Sequence, residues 1–243
     1  MVKRIFDFLI ALIGLILLSP ILLIFMFLIW LEDRHSPFYL APRVGKNGKM
    51  FKMVKLRSMV VNADKSGVDS TSSSDSRITK IGYIIRKYKL DEFSQLINVF
   101  IGQMSLVGPR PQVQRDVELY TDIEKNLLDV NPGITDFSSI IFSDEGEILK
   151  DSKNPDLDYN QLIRPWKSRL GLFYIRNRSF FIDIKIILMT IMAIVSKSKA
   201  LKSVNRQLVK LGASKELIDI ASRKDILVPF PPPGSDEIVT SRD

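Results

Sequence analysis

Between Phe8 and Leu31 the chain carries no charged residue, and this run constrains its fold more than any other feature. At about 1.5 Å per helical residue it is long enough for a hydrocarbon core of about 30 Å. A cleaved secretory leader fits less well: the run is long for one, and the LEDRHS that follows lacks the small residues of a cleavage site. Burying even eight of its Leu, Ile or Phe side chains gives a gross anchoring term above about 10 kcal/mol, so attachment to a bilayer is effectively permanent. Ser19 and Pro20 interrupt the run. Proline removes the hydrogen bond to the Ile16 carbonyl and crowds the preceding turn, which kinks a helix, while the Ser19 hydroxyl is placed to compensate. Such a helix either crosses as a bent span or returns to the face it entered. Lys3 and Arg4 precede it, and Arg34, Arg43, Lys46, Lys49, Lys52, Lys55 and Arg57 follow it. Basic residues flanking membrane segments stay on the cytoplasmic side, so both ends favour one face and the re-entrant arrangement, with Trp30 as interfacial anchor.

The 243 residues leave room for one sizeable core with appendages. The expected division is a re-entrant membrane helix over 1–36, a cytoplasmic-face catalytic domain over 37–203, and a helical appendage with a disordered Pro-rich tail over 204–243. A formal charge of +8 suits anionic lipid, phosphorylated substrates or nucleic acid without choosing among them. The absence of Cys excludes disulfides and thiolate metal sites, and a single His35 leaves no histidine pair for zinc and no Ser-His triad elsewhere. Any metal would be a hard cation held by oxygen.

After Pro37 the pattern predicts an α+β, mainly helical domain. GKNG at 45–48 reads as a turn into MFKMVKLRSM, whose alternation places Phe51, Met53, Lys55 and Arg57 on one side of a strand. Asp64 to Ser76 is polar, either a mobile loop closing over a substrate or an inert linker. Ile78 to Tyr88 predicts a helix. A second begins near Asp91, with Phe93, Leu96, Ile97, Phe100 and Ile101 on its buried face. Gly102, then Gly108 with Pro109, end regular structure and start a stiff GPRP loop, and NPGIT at 131–135 is another turn. Asp144 to Asp158 is polar and acidic. Phe180 to Ser196 is apolar but broken by Asp183 and Lys185, so it predicts an interfacial or core helix, with Lys197, Lys199 and Lys202 free for headgroups.

The chemistry concentrates between Lys89 and Pro111. Asp91 lies at a helix entrance, where a carboxylate is able to act as a nucleophile toward phosphorus. Glu92, turned about 100° from it, suits a divalent cation such as Mg²⁺. Acidic residues also occur in first helical turns merely because they complement the dipole. Arg110, fenced by two prolines, is held ready for phosphate. Lys55 and Arg57 are either phosphate ligands or membrane-surface cations. Asp183 either pairs with a neighbour such as Lys185 or helps build the site.

Taken together, KRIFD, Ser19-Pro20, RVG at 43–45, KLRSM at 55–59, RIT at 77–79, LDE at 90–92, NVFIGQMSLVGPRP ending at Pro111, PGIT at 132–135 and SFFIDIKIIL around Asp183 resemble the bacterial sugar transferases, the monotopic phosphoglycosyl transferases. The resemblance runs from Lys3 to about Val195. It implies a monotopic protein at the cytoplasmic face of the bacterial inner membrane. The implied reaction moves a sugar phosphate from a nucleotide diphosphate sugar to undecaprenyl phosphate, with release of the nucleoside monophosphate. Asp91 would be the covalent nucleophile, Glu92 its Mg²⁺-binding partner, and Lys55, Arg57, Arg86, Arg110 and Asp183 further site residues. Ser94 stands where many relatives carry proline, with little effect expected, and the sequence after Thr135 departs from theirs, which points to donor recognition. The competing reading is a non-catalytic basic adaptor recruiting anionic lipid or another polyanion. It accounts for the charge and the anchor but not for the DE pair and the Pro-fenced Arg. Nucleic acid is not an expected partner, and the sequence leaves the oligomeric state open, a homo-oligomer included.

Overall fold

The computed structural model describes residues 2–241, which form a mainly helical structure with two small sheets. Helix α1 runs from Val2 to Asp33 without a break, and Pro20 lies inside it. The Ile16 carbonyl that Pro20 leaves without its usual donor accepts instead from Ser19 Oγ at 2.8 Å. Among the described residues α1 is the one helix long and apolar enough to cross a membrane.

Most of α1 is exposed apolar surface, but both of its halves dock on the domain. Toward the N-terminus, Asp7 is buried and accepts from Ser105 Oγ at 2.7 Å and Leu106 N at 3.3 Å. Arg4 donates to the carbonyls of Val99 and Phe100, and Phe8 stacks on Phe100. The KRIFD segment is thus a latch. Toward the C-terminus, Leu22 and Ile29 join Leu56, Ile85 and Leu90 in a second core, and Asp33 pairs with Arg57.

Strands β1 (Phe38–Val44) and β2 (Met50–Leu56) form an antiparallel hairpin, with Phe38 opposite Leu56 and Val44 opposite Met50. The turn falls where expected, with Asn47 and Gly48 at positive φ. The expected face fails at its end: β2 stops at Leu56, and Arg57 leaves the strand to meet α1.

Helix α2 (Lys80–Lys87) is capped by Thr79, whose side chain accepts from Gly82 N at 3.0 Å. Gly82 lies so close to the chain leaving β2 that a Cβ there would sit 1.9 Å from the Ser58 carbonyl oxygen. The expected second helix divides into α3 (Leu90–Phe93) and α4 (Leu96–Ile101), and its buried face differs from the periodic one. Val99 and Asn98 are fully buried whereas Ile101 is 56% exposed. The Asn98 amide replaces a strand neighbour for β2: its Oδ1 accepts from Val54 N and its Nδ2 donates to Lys52 O, each at 2.8 Å. A polar side chain thereby earns a core position that apolar spacing does not reveal.

Two segments read as turns contain strands, β3 (Ser105–Val107) and β4 (Gly133–Thr135), paired in parallel. Three residues are too few for a visible alternation. Gly133 abuts Gly108 so closely that a Cβ would lie 2.1 Å from the Gly108 nitrogen. Gly133 N donates to Pro109 O at 2.9 Å, and Gly108 N to Thr135 O at 3.0 Å. The GPRP loop is fixed by backbone as well as by proline.

The boundary expected at 203/204 falls inside the Lys197–Lys210 helix. Val204, Leu208, Leu217 and Ala221 belong to the principal core with Phe137, Ile163 and Leu170, so the segment after 203 is integral to the domain. Lys197 is not free for headgroups, because it pairs with Asp144 at 2.7 Å. The Pro-rich tail lies along the Arg164–Asn177 helix: Phe230 stacks on Trp166 at 4.4 Å, and Arg169 donates to Pro231 O at 2.8 Å. The Phe180–Val195 helix buries Ile182, Ile186 and Met189 and exposes Phe181, Leu188, Ile191 and Ile194, one apolar face in and one out.

Candidate active site

Lys55 comes from the end of β2 and Asp91 from the first turn of α3, and their side chains meet with Nζ 3.7 Å from Oδ2. The spacing is set by the fastening of β2 to the helices. Asn98 holds the strand on either side of Met53, and Ser94 Oγ lies 2.9 Å from the Asp91 carbonyl and 3.1 Å from that of Val54. Ser94 therefore joins the turn that carries Asp91 to the strand that carries Lys55, a link that proline has no hydroxyl to make.

Glu92 turns to Arg110, whose Nη2 lies 3.2 Å from Glu92 Oε1. The hairpin supports this loop from below, with Val44 N donating to Gln112 O at 3.0 Å. These side chains line a cavity of about 270 Å³ together with Arg43, Arg86 and Lys89. Its far wall comes from the region after Thr135, where Glu145 pairs with Lys167 and the Tyr159 hydroxyl donates to Gln112 Oε1 at 3.0 Å. Asp69, Ser70 and Thr71 also line it. Asp156 accepts from the Asp69 and Ser70 amides, which anchors the polar loop over this side.

The packed charges perturb one another. Desolvation lowers the Lys55 ammonium from its ordinary 10.5 to about 8, with Asp91 acting in the opposite sense. Burial pushes the Glu92 carboxyl upward, but Arg110, Lys89 and Lys55 outweigh it and hold it below its ordinary range. Glu145 is likewise lowered, since Lys167 outweighs its burial. Arg110 stays firmly cationic because Glu92 offsets its desolvation.

Of the residues singled out in the sequence, Lys55, Arg86, Asp91, Glu92 and Arg110 come together in this cavity. Arg57 does not. Its Nη2 donates to Asp33 Oδ1 at 2.6 Å and its Nε to Ser36 O at 2.8 Å, so it ties the end of α1 to the hairpin and lines a neighbouring cavity instead. Asp183 is also placed elsewhere: buried beneath β3, it accepts from Lys3 at 2.5 Å and from the Tyr174 hydroxyl at 2.6 Å. Lys185, the neighbour named as one alternative for it, donates to Gln207. Sequence reasoning assigned no site role to Arg43, Lys89, Glu145, Tyr159 or Lys167. Arg43 and Lys89 lay inside motifs already in view, whereas Glu145 and Lys167 carry no local signal and reach the cavity through tertiary packing.

A carboxylate set among cations, in a domain clamped to one long apolar helix, is a setting suited to anionic groups beside a bilayer. The family described as bacterial sugar transferase matches residues 1–197, and the chain belongs to it; it is an enzyme of the phosphoglycosyl transferase class. The exopolysaccharide production protein ExoY of Sinorhizobium fredii is 34% identical over 79% of this chain and 84% of its own length. The UDP-N-acetylgalactosamine-undecaprenyl-phosphate N-acetylgalactosaminephosphotransferase of Aeromonas hydrophila is 32% identical over 80% of this chain and 44% of its own. The UDP-galactose-lipid carrier transferase of Erwinia amylovora is 33% identical over 82% and 41%. The chain thus spans less than half the length of these last two relatives.

Proposed function

We propose that the protein transfers a sugar 1-phosphate from a nucleotide diphosphate sugar to undecaprenyl phosphate, through a covalent intermediate on Asp91, and so initiates a surface polysaccharide or glycoconjugate. The observation that carries this reading is Asp91 among Lys55, Arg86 and Arg110 in one cavity, on a domain to which both halves of α1 are docked. The names of the relatives support the substrate class, and the adaptor reading loses its ground once the chain is an enzyme.

In the first half-reaction an Asp91 carboxylate oxygen attacks the phosphorus that bears the sugar. The bond from that phosphorus to the bridging oxygen breaks, and the electron pair leaves with the nucleoside monophosphate. Arg110, Lys89 and Lys55 disperse the charge of the diphosphate, which otherwise repels an anionic nucleophile. Glu92 and Asp91 are hard oxygen donors on one wall and fit Mg²⁺, which is commonly held by one or two carboxylates and substrate phosphates rather than by a full protein cage. When bound, the ion would supply further neutralisation of the phosphates. Among the described residues no group of three or more acidic or His side chains offers a cage of its own.

The membrane arrangement follows the same reading. A straight span would carry the two ends of α1 to opposite sides of the bilayer, yet Asp7 and Ile29 both pack on one domain. This supports a helix that enters and leaves by the cytoplasmic face of the inner membrane, with the Phe180–Val195 helix lying at the interface.

The intermediate is tested by rapid quench of the full-length enzyme with Mg²⁺ and donor, starting from UDP-N-acetylgalactosamine and UDP-galactose. Mass spectrometry is expected to find a sugar-phosphate adduct on the peptide containing Asp91. Monophosphate release dependent on acceptor, with no adduct in a single turnover, would establish direct transfer instead.

A pH dependence follows from Lys55. The amine is cationic below about 8 and neutral above it, so attraction for the donor phosphates is lost as pH rises through that value. The free-enzyme profile of kcat/KM for donor should fall on its alkaline side near this pH. Lys55→Arg, whose guanidinium keeps its proton across the working range, should move that limb to markedly higher pH. An unmoved limb would assign it to another group.

A further inference from the structure

A second cavity, of about 380 Å³, adjoins the first, and Asp91, Lys55, Arg43, Arg86, Asp69 and Thr71 line both. The two chambers differ in their remaining walls. The first holds Lys89, Glu92, Arg110, Glu145 and Lys167, a charged setting suited to a diphosphate and a sugar. The second is walled by Phe38, Leu56, Met59, Val60, Val61 and Val68, and its lining includes His35 and Ser36, just beyond the end of α1. Val60, Val61 and Val68 are 49%, 40% and 38% exposed, apolar surface facing an open chamber beside a membrane helix.

The cations of the second chamber are unequally committed. Arg57 is bound to Asp33, and Arg77 to Asp75. Arg86 makes no carboxylate pair among the described residues, and its one side-chain contact is Nη1 to Ser58 Oγ at 3.5 Å. A guanidinium outside any carboxylate pair, where the two chambers meet, and valines elsewhere in the wall match a phosphate monoester with an apolar chain.

We infer that the second chamber receives the lipid acceptor: its phosphate at Arg86 and Lys55, and the first part of its polyprenyl chain along Val60, Val61 and Val68. The inference rests on the transfer proposed above and adds that donor and acceptor reach Asp91 from different chambers. In the second half-reaction an oxygen of the acceptor phosphate attacks the phosphorus held on Asp91. The Asp91–phosphorus bond breaks, its electron pair returns to the carboxylate, and a polyprenyl diphosphate sugar leaves. A phosphate dianion attacks without a proton to lose. The first chamber is by then vacated by the nucleoside monophosphate but still holds the sugar, so a separate acceptor entrance spares the lipid from displacing it.

The experiment separates the half-reactions in the full-length enzyme, using Val60→Glu and Val68→Glu, which belong to separate stretches of the chain. Adduct formation is followed with donor alone by rapid quench, and adduct decay after adding undecaprenyl phosphate below saturation. The expected result is adduct formation within about twofold of wild type and decay slowed about tenfold or more in both Glu variants, because a carboxylate in the chamber disfavours the chain and repels its phosphate. Unchanged decay in both Glu variants would overturn the assignment. Equal slowing of formation and decay would do so too, by giving the chamber to the donor. A wild-type enzyme that forms no adduct would remove the premise, and this outcome is read without any variant.

Discussion

Asp91→Asn is expected to leave a folded, membrane-bound protein that releases nucleoside monophosphate slower than wild type by about 10³ or more, the scale on which loss of a covalent nucleophile is felt. The amide keeps the shape of the carboxylate, so α3 and its Ser94 tie to β2 should persist. Two things change: the oxygen loses its nucleophilicity, and Lys55 loses the anion that raises its pKa. Lys55 should then titrate below about 8 and bind phosphate less well at neutral pH. Donor turnover, adduct mass and membrane co-sedimentation measured together distinguish the outcomes. Turnover near wild type with intact folding would sink the covalent role of Asp91.

The second large effect is expected at Arg110. Arg110→Gln removes a fixed cation from the cavity and leaves Glu92 with Lys89 and Lys55 alone to hold its carboxyl down. Removing one preorganised donor from a charge-stabilising site costs about 10²–10³ in rate, and kcat/KM for donor should fall by that order. Arg110→Lys should recover only part of the loss, since an ammonium is a point charge without the planar fork that grips phosphate. Single-turnover monophosphate release, with a thermal melt to show that the fold survives, provides the measurement. Unaltered kcat/KM in Arg110→Gln would make the Glu92 pair a structural contact only.

What the sequence disclosed and what it hid divide along the range of the interactions. The apolar run of α1, the GKNG turn and the DE pair ahead of an apolar helix are local patterns, and each lies where it was expected. The far wall of the cavity is different. Glu145 lay in a polar, acidic stretch and Lys167 in no motif, because packing of distant elements alone brings them together. Motif membership also marked residues without disclosing their task. Arg57 and Asp183 both belong to family motifs, yet one is bound to Asp33 and the other to Lys3 and Tyr174, so their motifs record how the membrane helix is seated. Strands β3 and β4 were hidden by brevity, and Asn98 by polarity in a place where periodicity counts only apolar residues.

That seating has a practical corollary for anyone wishing to handle the enzyme in aqueous buffer. Because Asp7, Ala11, Leu22 and Ile29 are buried members of α1, deleting the helix would not merely detach an anchor. It would strip Ser105 of its acceptor, leave Arg57 and Asp183 without their ion-pair partners, and open two hydrophobic sockets to water. A truncated form would be an unroofed protein rather than a soluble one, and the bilayer-facing segment is better regarded as a keystone than as a tether.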